Sequence, residues 1–315
     1  MSAPKLNILA FSRRDRDLAS CIQAHPTNIL VGMDLTAGEP TVTAHYSKDP
    51  VYRYATLDGV GKPPFWDSNG TLMIDDIYLM VMSRSPLGER KMKQMWTKEW
   101  PEGDFAAQWV KKAKVIKSAL EDERQLHKMI CLALGYGLGA EKMQKQVYEQ
   151  FSQNLSIDQC KQFKRVYWQI FAELDSFVKR CTHVAKRTGF IINDFGYRVT
   201  LNNSGVRPFD NTHKAFNYLI QSSVSGIMHV LIKLIDEECR NEGFFVGDIG
   251  NDFSDSVRLI TVIHDELVYE VTKTALDRFE ACKKQAVTRL NEYLSWSVPV
   301  RVGFSPGNTF YDIKG

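Results

Sequence analysis

The sequence predicts an α+β fold in which a large helical insertion interrupts a small sheet. Two observations carry this expectation. Strand-like apolar runs lie towards the two ends of the chain, Ile29-Leu30-Val31-Gly32-Met33 and Leu259-Ile260-Thr261-Val262-Ile263, and each leads into an aspartate, Asp34 or Asp265. Almost everything between them has helical periodicity. If the two aspartates are to meet, the outer strands must pair, and the helical block then projects from the sheet they build.

The elements follow in order. A strand over 28–34 is succeeded by the polar stretch Thr36-Ala37-Gly38-Glu39-Pro40, which is expected to turn the chain. Residues 48–70 are rich in Gly, Pro, Asp and Tyr and predict a loop. A short helix is expected over 75–83. The pattern from 105 to 136 is mostly helical, with Glu121-Asp122-Glu123 near a helix start, where carboxylates favour the dipole. Another helix covers 141–151, and a longer one begins near the N-cap candidate Ser156 and runs towards Gly189. Residues 190–201 read as strand, turn and strand. A long helix over 212–242 carries Phe216, Leu219, Ile220, Val224, Ile227 and Leu231 at helical spacing. A hairpin over 258–271 turns at His264-Asp265, and a helix over 274–293 and a strand over 298–302 complete the chain.

Composition narrows the class without giving a function. At 315 residues the chain can bury a substantial core in one to three domains. With 44% apolar and 24% charged residues it reads as globular, and a net charge of +3 is too small to single out nucleic acid. Locally the balance shifts. Between Arg84 and Lys128 the bases Arg90, Lys91, Lys93, Lys98, Lys111, Lys112, Lys114 and Lys117 outnumber the acids, with Trp96, Trp100 and Trp109 interleaved. Such a run is either a solvated helix face or a surface that tracks phosphates, with indoles for stacking. The six cysteines form no CxxC pair, which argues against a zinc site or disulfide framework and for a reducing compartment. No run of roughly 18 apolar residues and no signal-peptide core is evident, so no membrane partner and a cytoplasmic location are expected.

Asp34 ends an apolar strand, where a carboxylate serves as a turn residue, a helix cap or a ligand. The same choice holds for His264-Asp265-Glu266 at a hairpin tip. Taken together, two such carboxylates suit Mg²⁺, which prefers one or two carboxylates plus phosphate oxygens and water. Two ions roughly 3.5–4 Å apart stabilise the attacking and leaving oxygens of an in-line displacement. Between the aspartates, Arg124, Lys128, Leu132 and Tyr136 recur every four residues and share one broad helix face. An amphipathic helix would segregate cations from apolar groups. A helix lying over a nucleotide needs them in series, cations at the phosphates and apolar contacts at the base. Gly135 and Gly137 flank Tyr136 and imply a helix end, a close approach or a pivot.

These segments resemble the polymerase motifs of the family A DNA polymerases. Asp34, with Glu39 five residues on and Ala44-His45 beyond, is similar to the family's first palm motif. Arg124-xxx-Lys128 with Tyr136-Gly137 resembles its fingers helix, Asn217-xxx-Gln221 the pair that contacts nascent duplex, and Val262-Ile263-His264-Asp265-Glu266-Leu267-Val268 its third motif. The likeness runs from about Leu6 to the C-terminus. It implies a small antiparallel palm sheet carrying the carboxylates, with a large helical fingers insertion. The implied segments are a first palm segment over 1–47, fingers over 48–210, and palm again over 211–315. It implies template-directed DNA synthesis from dNTPs on primer-template DNA. In that scheme Asp34 and Asp265 hold two Mg²⁺ ions and Glu266 supports them, while Arg124 and Lys128 neutralise the triphosphate, with Lys128 also counted among the catalytic groups. Leu132 and Tyr136 line the nucleotide pocket, and Asn217, Gln221 and His264 face the duplex. Glu39 occupies the place of a ribose 2′-hydroxyl. Single-subunit RNA polymerases have Gly there and Ser after the final His-Asp, so Glu39 and Glu266 favour DNA.

The sequence also departs from the family. Leu132 stands where Phe or Tyr is usual, Tyr78 where a phosphate-touching histidine is frequent, and His213 where an arginine is common. Residues 48–70 and 87–117 look like longer insertions. Only about thirty residues precede Asp34, so thumb and exonuclease domains are expected to be absent. A split, phage-type polymerase is the resulting expectation, with a second polypeptide supplying thumb and 3′–5′ exonuclease. A non-catalytic DNA-binding remnant or accessory subunit is the alternative.

Overall fold

The structure, a computed structural model, describes residues 16–62, 64–97, 117–203, 209–247 and 255–313. Lys98, Trp100, Trp109, Lys111, Lys112 and Lys114 of the basic, tryptophan-containing run lie outside the described residues. The chain forms two compact units, one made of residues up to 38 together with 223 onward, the other of 39–222.

The first unit is built on a five-stranded sheet in the order Ser305–Gly307, Asn28–Asp34, Glu266–Thr272, Ser256–Ile263, Phe245–Val246. All neighbours are antiparallel except the last pair. The outer sequence strands do meet, in a register running from Asn28 opposite Thr272 to Asp34 opposite Glu266. The strands Asn28–Asp34 and Glu266–Thr272 are buried almost throughout, as strands covered on both faces are. The helix Leu276–Leu294 contributes Phe279, Cys282, Ala286 and Leu290, spaced three or four residues apart, and Phe279 meets the Tyr269 ring at 5.3 Å. Two acids of this sheet, Glu266 and Glu270, are buried. Burial raises the Glu270 carboxyl, but the His25 backbone N–H, Arg258 and Asn28 all donate to it and hold it below the usual range.

The expected strand over 298–302 is corrected. Asn291 accepts from the Val300 N–H at 2.7 Å and donates to its carbonyl at 2.9 Å, so this β-branched run gives its backbone to a side chain and not to a ladder. Only an isolated bridge between Val302 and Leu35 remains, and the edge strand forms later, at Ser305–Gly307.

The second unit is helical, with three two-stranded ribbons among the described residues, one of them the expected hairpin of Phe190–Ile192 with Arg198–Thr200. The predicted turn at 36–40 and loop at 48–70 are corrected in part. A helix, Gly38–Ser47, begins inside the turn, and Pro50–Arg53 is helical and leads into a π-helical turn, Tyr54–Asp58. The single long helix expected from Ser156 is two helices, Ile157–Ile170 and Ala172–Thr188, broken at Phe171. Its start does carry the predicted cap, a capping box between Ser156 and Gln159.

Asp49 explains both irregularities. Its Oδ1 accepts from the N–H groups of Val51 and Tyr52, and its Oδ2 from those of Glu173 and Leu174. One buried carboxylate thus caps two helices, and the buried ring of Phe171, packed edge-on to Tyr52 and Tyr167, fills the break. Asp49→Ala strands four amide donors and is expected to lower the unfolding free energy by about 3 kcal/mol. Urea denaturation measures this, and a loss under about 1 kcal/mol would mean that the cap is not needed.

The helix Ala215–Asn241 is longer than any other described and largely apolar. Contrary to the reading of the sequence, residues 212–241 are long and apolar enough to cross a membrane, though 56% of the most apolar window is buried in the protein, as in a core helix.

Candidate active site

In the first unit the antiparallel register decides the placement of the carboxylates. Asp34 ends its strand opposite Glu266, and the next backbone N–H, that of Leu35, donates to the Asp265 carbonyl at 3.0 Å. Asp34 and Asp265 therefore leave the same end of two paired strands. Asp34 is exposed, Asp265 half-buried and Glu266 buried. The Asp265 carboxylate faces Gly38, where an added Cβ would lie 3.8 Å from Oδ2. His264 is exposed at the hairpin tip and holds φ at 55°, a left-handed conformation that few non-glycine residues adopt. Two hard oxygen donors on rigid strand ends fit Mg²⁺ shared with a phosphate-bearing ligand. Among the described residues no cluster of three or more His, Cys, Asp or Glu forms an all-protein cage.

In the second unit the helix Glu121–Gly135 carries the predicted cation face. Arg124 donates from Nε to Asp76 at 2.8 Å, a partner that the sequence reading did not foresee. Lys128 is exposed and makes no hydrogen bond or ion pair among the described residues. His127 lies between them in sequence but is fully buried: Nδ1–H donates to the Glu123 carbonyl, and Nε2 lies 2.7 Å from Ser85 Oγ. Burial pushes its pKa down to about 4, so it is a neutral core group and no phosphate ligand.

Of the three explanations for Gly135 and Gly137, the helix end is the one observed. Tyr136 is the C-cap and Gly137 takes φ 82°. Tyr136 Oη donates to Glu39 Oε2, and burial, then this bond, raises the phenol far above its ordinary range, keeping it a neutral donor. Glu39, Leu132 and Tyr136 line one pocket with Tyr52, Tyr167 and Phe216.

Tyr136 and Asn217 share a second cleft of about 830 Å³, together with Lys142, Lys161, His213 and Lys214. The sequence reading missed the lysines of this cleft because they come from separate segments and form no run. Asn217 Oδ1 is buried with no hydrogen-bond partner among the described residues, and Gln221, one turn on, is exposed.

The sequence profile of DNA polymerase family A matches residues 101–312, more than half of the chain. The chain belongs to DNA polymerase family A. DNA polymerase theta of Drosophila melanogaster is 25% identical over 216 residues, which is 67% of this chain and 10% of that protein. The DNA polymerase of Escherichia phage T5 is 22% identical over 296 residues, 88% of this chain and 30% of that one. Among solved structures, the POL domain of Pol1 from M. smegmatis, in complex with DNA primer-template and dNTP, has the same fold, with a TM-score of 0.68 at 18% identity. That match covers 98% of this chain and 45% of the other. The family A chain thus spans under a third of the length of these two curated relatives.

Proposed function

We propose that this family A chain performs template-directed DNA synthesis, transferring deoxynucleotides from dNTPs to a primer 3′-hydroxyl in the cytoplasm. The observation that carries the reading is the pairing of Asp34 and Asp265 at one end of adjacent strands. These two carboxylates would hold two Mg²⁺ ions, with buried Glu266 supporting them. Bound Mg²⁺ would supply Lewis-acid stabilisation of the attacking and leaving oxygens. Arg124 and Lys128 neutralise the triphosphate, electrostatic work of the kind that dominates phosphoryl transfer. Leu132 offers the nucleotide an aliphatic contact where an aromatic residue would stack. Asn217, Gln221 and His264 contact primer-template DNA, with Lys142, Lys161 and Lys214 added as phosphate contacts.

Glu39 is assigned the deoxy-sugar filter, and the Tyr136 hydroxyl holds its carboxylate in place. Glu39→Ala is expected to slow dNTP incorporation and to relax discrimination against rNTPs by about tenfold or more, as loss of a steric and charged block allows. Primer extension with Mg²⁺ and each sugar type measures both effects. Because the chain spans only part of its relatives, the assay is run with the chain alone and with a second polypeptide carrying thumb and 3′–5′ exonuclease, the proposed partner. No incorporation in either arrangement refutes the catalytic reading.

A further inference from the structure

Arg124 is held on two sides within the second unit. Its Nε donates to Asp76 Oδ2 at 2.8 Å, and its Cζ stands 5.2 Å from the centre of the Tyr78 ring. Asp76 is itself immobilised, with its side chain only 3% exposed. Its other oxygen, Oδ1, accepts from the N–H groups of Tyr78 and Leu79, both at 3.0 Å, and so caps the helix Ile77–Met82. Lys117 Nζ lies 3.7 Å from both Asp75 and Asp76. The two acids are thereby balanced by two bases. Among the described residues the Nη atoms of Arg124 have no hydrogen-bond partner, and its side chain keeps 22% of its exposure.

We propose that Asp76, with the Tyr78 ring beneath, is a positioning residue that fixes the Arg124 guanidinium so that its outer edge receives the triphosphate of the incoming nucleotide. This rests on the assignment of Arg124 to the triphosphate. A guanidinium has five N–H donors in a rigid fork, and anchoring one edge leaves the opposite edge preorganised for a planar set of phosphate oxygens. An unanchored arginine must give up side-chain freedom at the moment of binding. Tyr78 carries no charge to offer a phosphate. It supplies instead a flat face that orients the arginine, a contact that strengthens as water is excluded. The arrangement converts the position where a cation could meet the phosphates into support for the cation one helix away.

The test uses Asp76→Asn, which keeps an amide oxygen to cap Tyr78 and Leu79 but removes the anion from Arg124. Affinity for triphosphate is read by competition of dATP and of inorganic tripolyphosphate against a fluorescent dNTP, so the reading does not depend on turnover. The variant is expected to weaken both competitors about tenfold, the scale of one charged hydrogen bond. In primer extension, KM for dNTP should rise by the same factor with kcat within about twofold, read at a temperature below the variant's unfolding transition. Asp76→Asn should add nothing in an Arg124→Ala background, since the group it positions is gone. Unchanged or tighter triphosphate affinity, or a full additional loss in that background, overturns the proposal. Failure of the polymerase assignment reads differently, as triphosphate affinity that follows Asp76 in a chain that extends no primer.

Discussion

A chain carrying Asp265→Asn is expected to incorporate deoxynucleotides about a thousandfold more slowly than the unsubstituted chain, the scale on which loss of a group that stabilises developing charge acts. Asparagine has the shape of aspartate, so the substitution changes charge and little else. The backbone reasons for the local structure survive it: the Asp265 carbonyl still accepts from Leu35, and Ile263 still pairs with Glu266 across the hairpin tip. What is lost is a negative oxygen for a hard cation, at a place where the neighbouring strand presents only one other, Asp34. Asp34→Asn should have an effect of the same order, and the double variant should fall little further, because two residues proposed to hold the same ions would act as a unit. Single-turnover incorporation at saturating Mg²⁺ and dNTP measures the effect, with thermal unfolding as the control for folding. Incorporation within tenfold of the unsubstituted chain would remove Asp265 from the proposed metal site.

Much of this site was legible because its parts are local in sequence. A strand that ends in aspartate, a hairpin tip of His264-Asp265-Glu266 and a helix with Arg124, Lys128, Leu132 and Tyr136 every fourth residue each declare their geometry over a few residues. The outer strands met because Asn28–Asp34 and Glu266–Thr272 are both apolar enough to be buried on two faces. Where sequence reading failed, the deciding partner lay outside the element concerned. Asp49 reaches Glu173 and Leu174 to split what periodicity joins into one helix. Asn291 takes the backbone of Val300 and so cancels a strand that β-branched residues predict. Asp76 holds Arg124 across 48 positions. Periodicity and propensity cannot register a side chain that bonds outside its own element, to backbone as Asp49 and Asn291 do or to another side chain as Asp76 does.

Gly32 is expected to be as sensitive as any position outside the carboxylates, although it touches no substrate. It lies mid-strand, opposite Val268 on one side and Ser305 on the other, where glycine normally weakens a sheet. Propensity alone makes Gly32→Ala neutral or slightly stabilising, by under about 1 kcal/mol. Space gives the opposite sign. A Cβ at this position would stand 2.6 Å from the Ile313 carbonyl oxygen and 3.1 Å from Glu266 Oε1. The first contact is with backbone, so no rotamer change relieves it. Ile313 is anchored in a core cluster with Ala19, Leu30, Val268 and Phe310, which resists displacement. Overpacking of this kind costs about 1–3 kcal/mol, which exceeds the gain from propensity. The second contact carries the consequence into function: a methyl at 32 presses on the carboxylate of Glu266, the acid that supports the proposed metal site. Gly32→Ala should therefore lose stability in urea denaturation and lose incorporation rate at temperatures where it is still folded. Ending the chain before Ile313 removes the backbone clash, at the cost of a core side chain, and should make the further loss from Gly32→Ala smaller than in the full chain. If Gly32→Ala proves as stable and as active as the unsubstituted chain, the close approach of the C-terminal segment to this strand does not exist in solution.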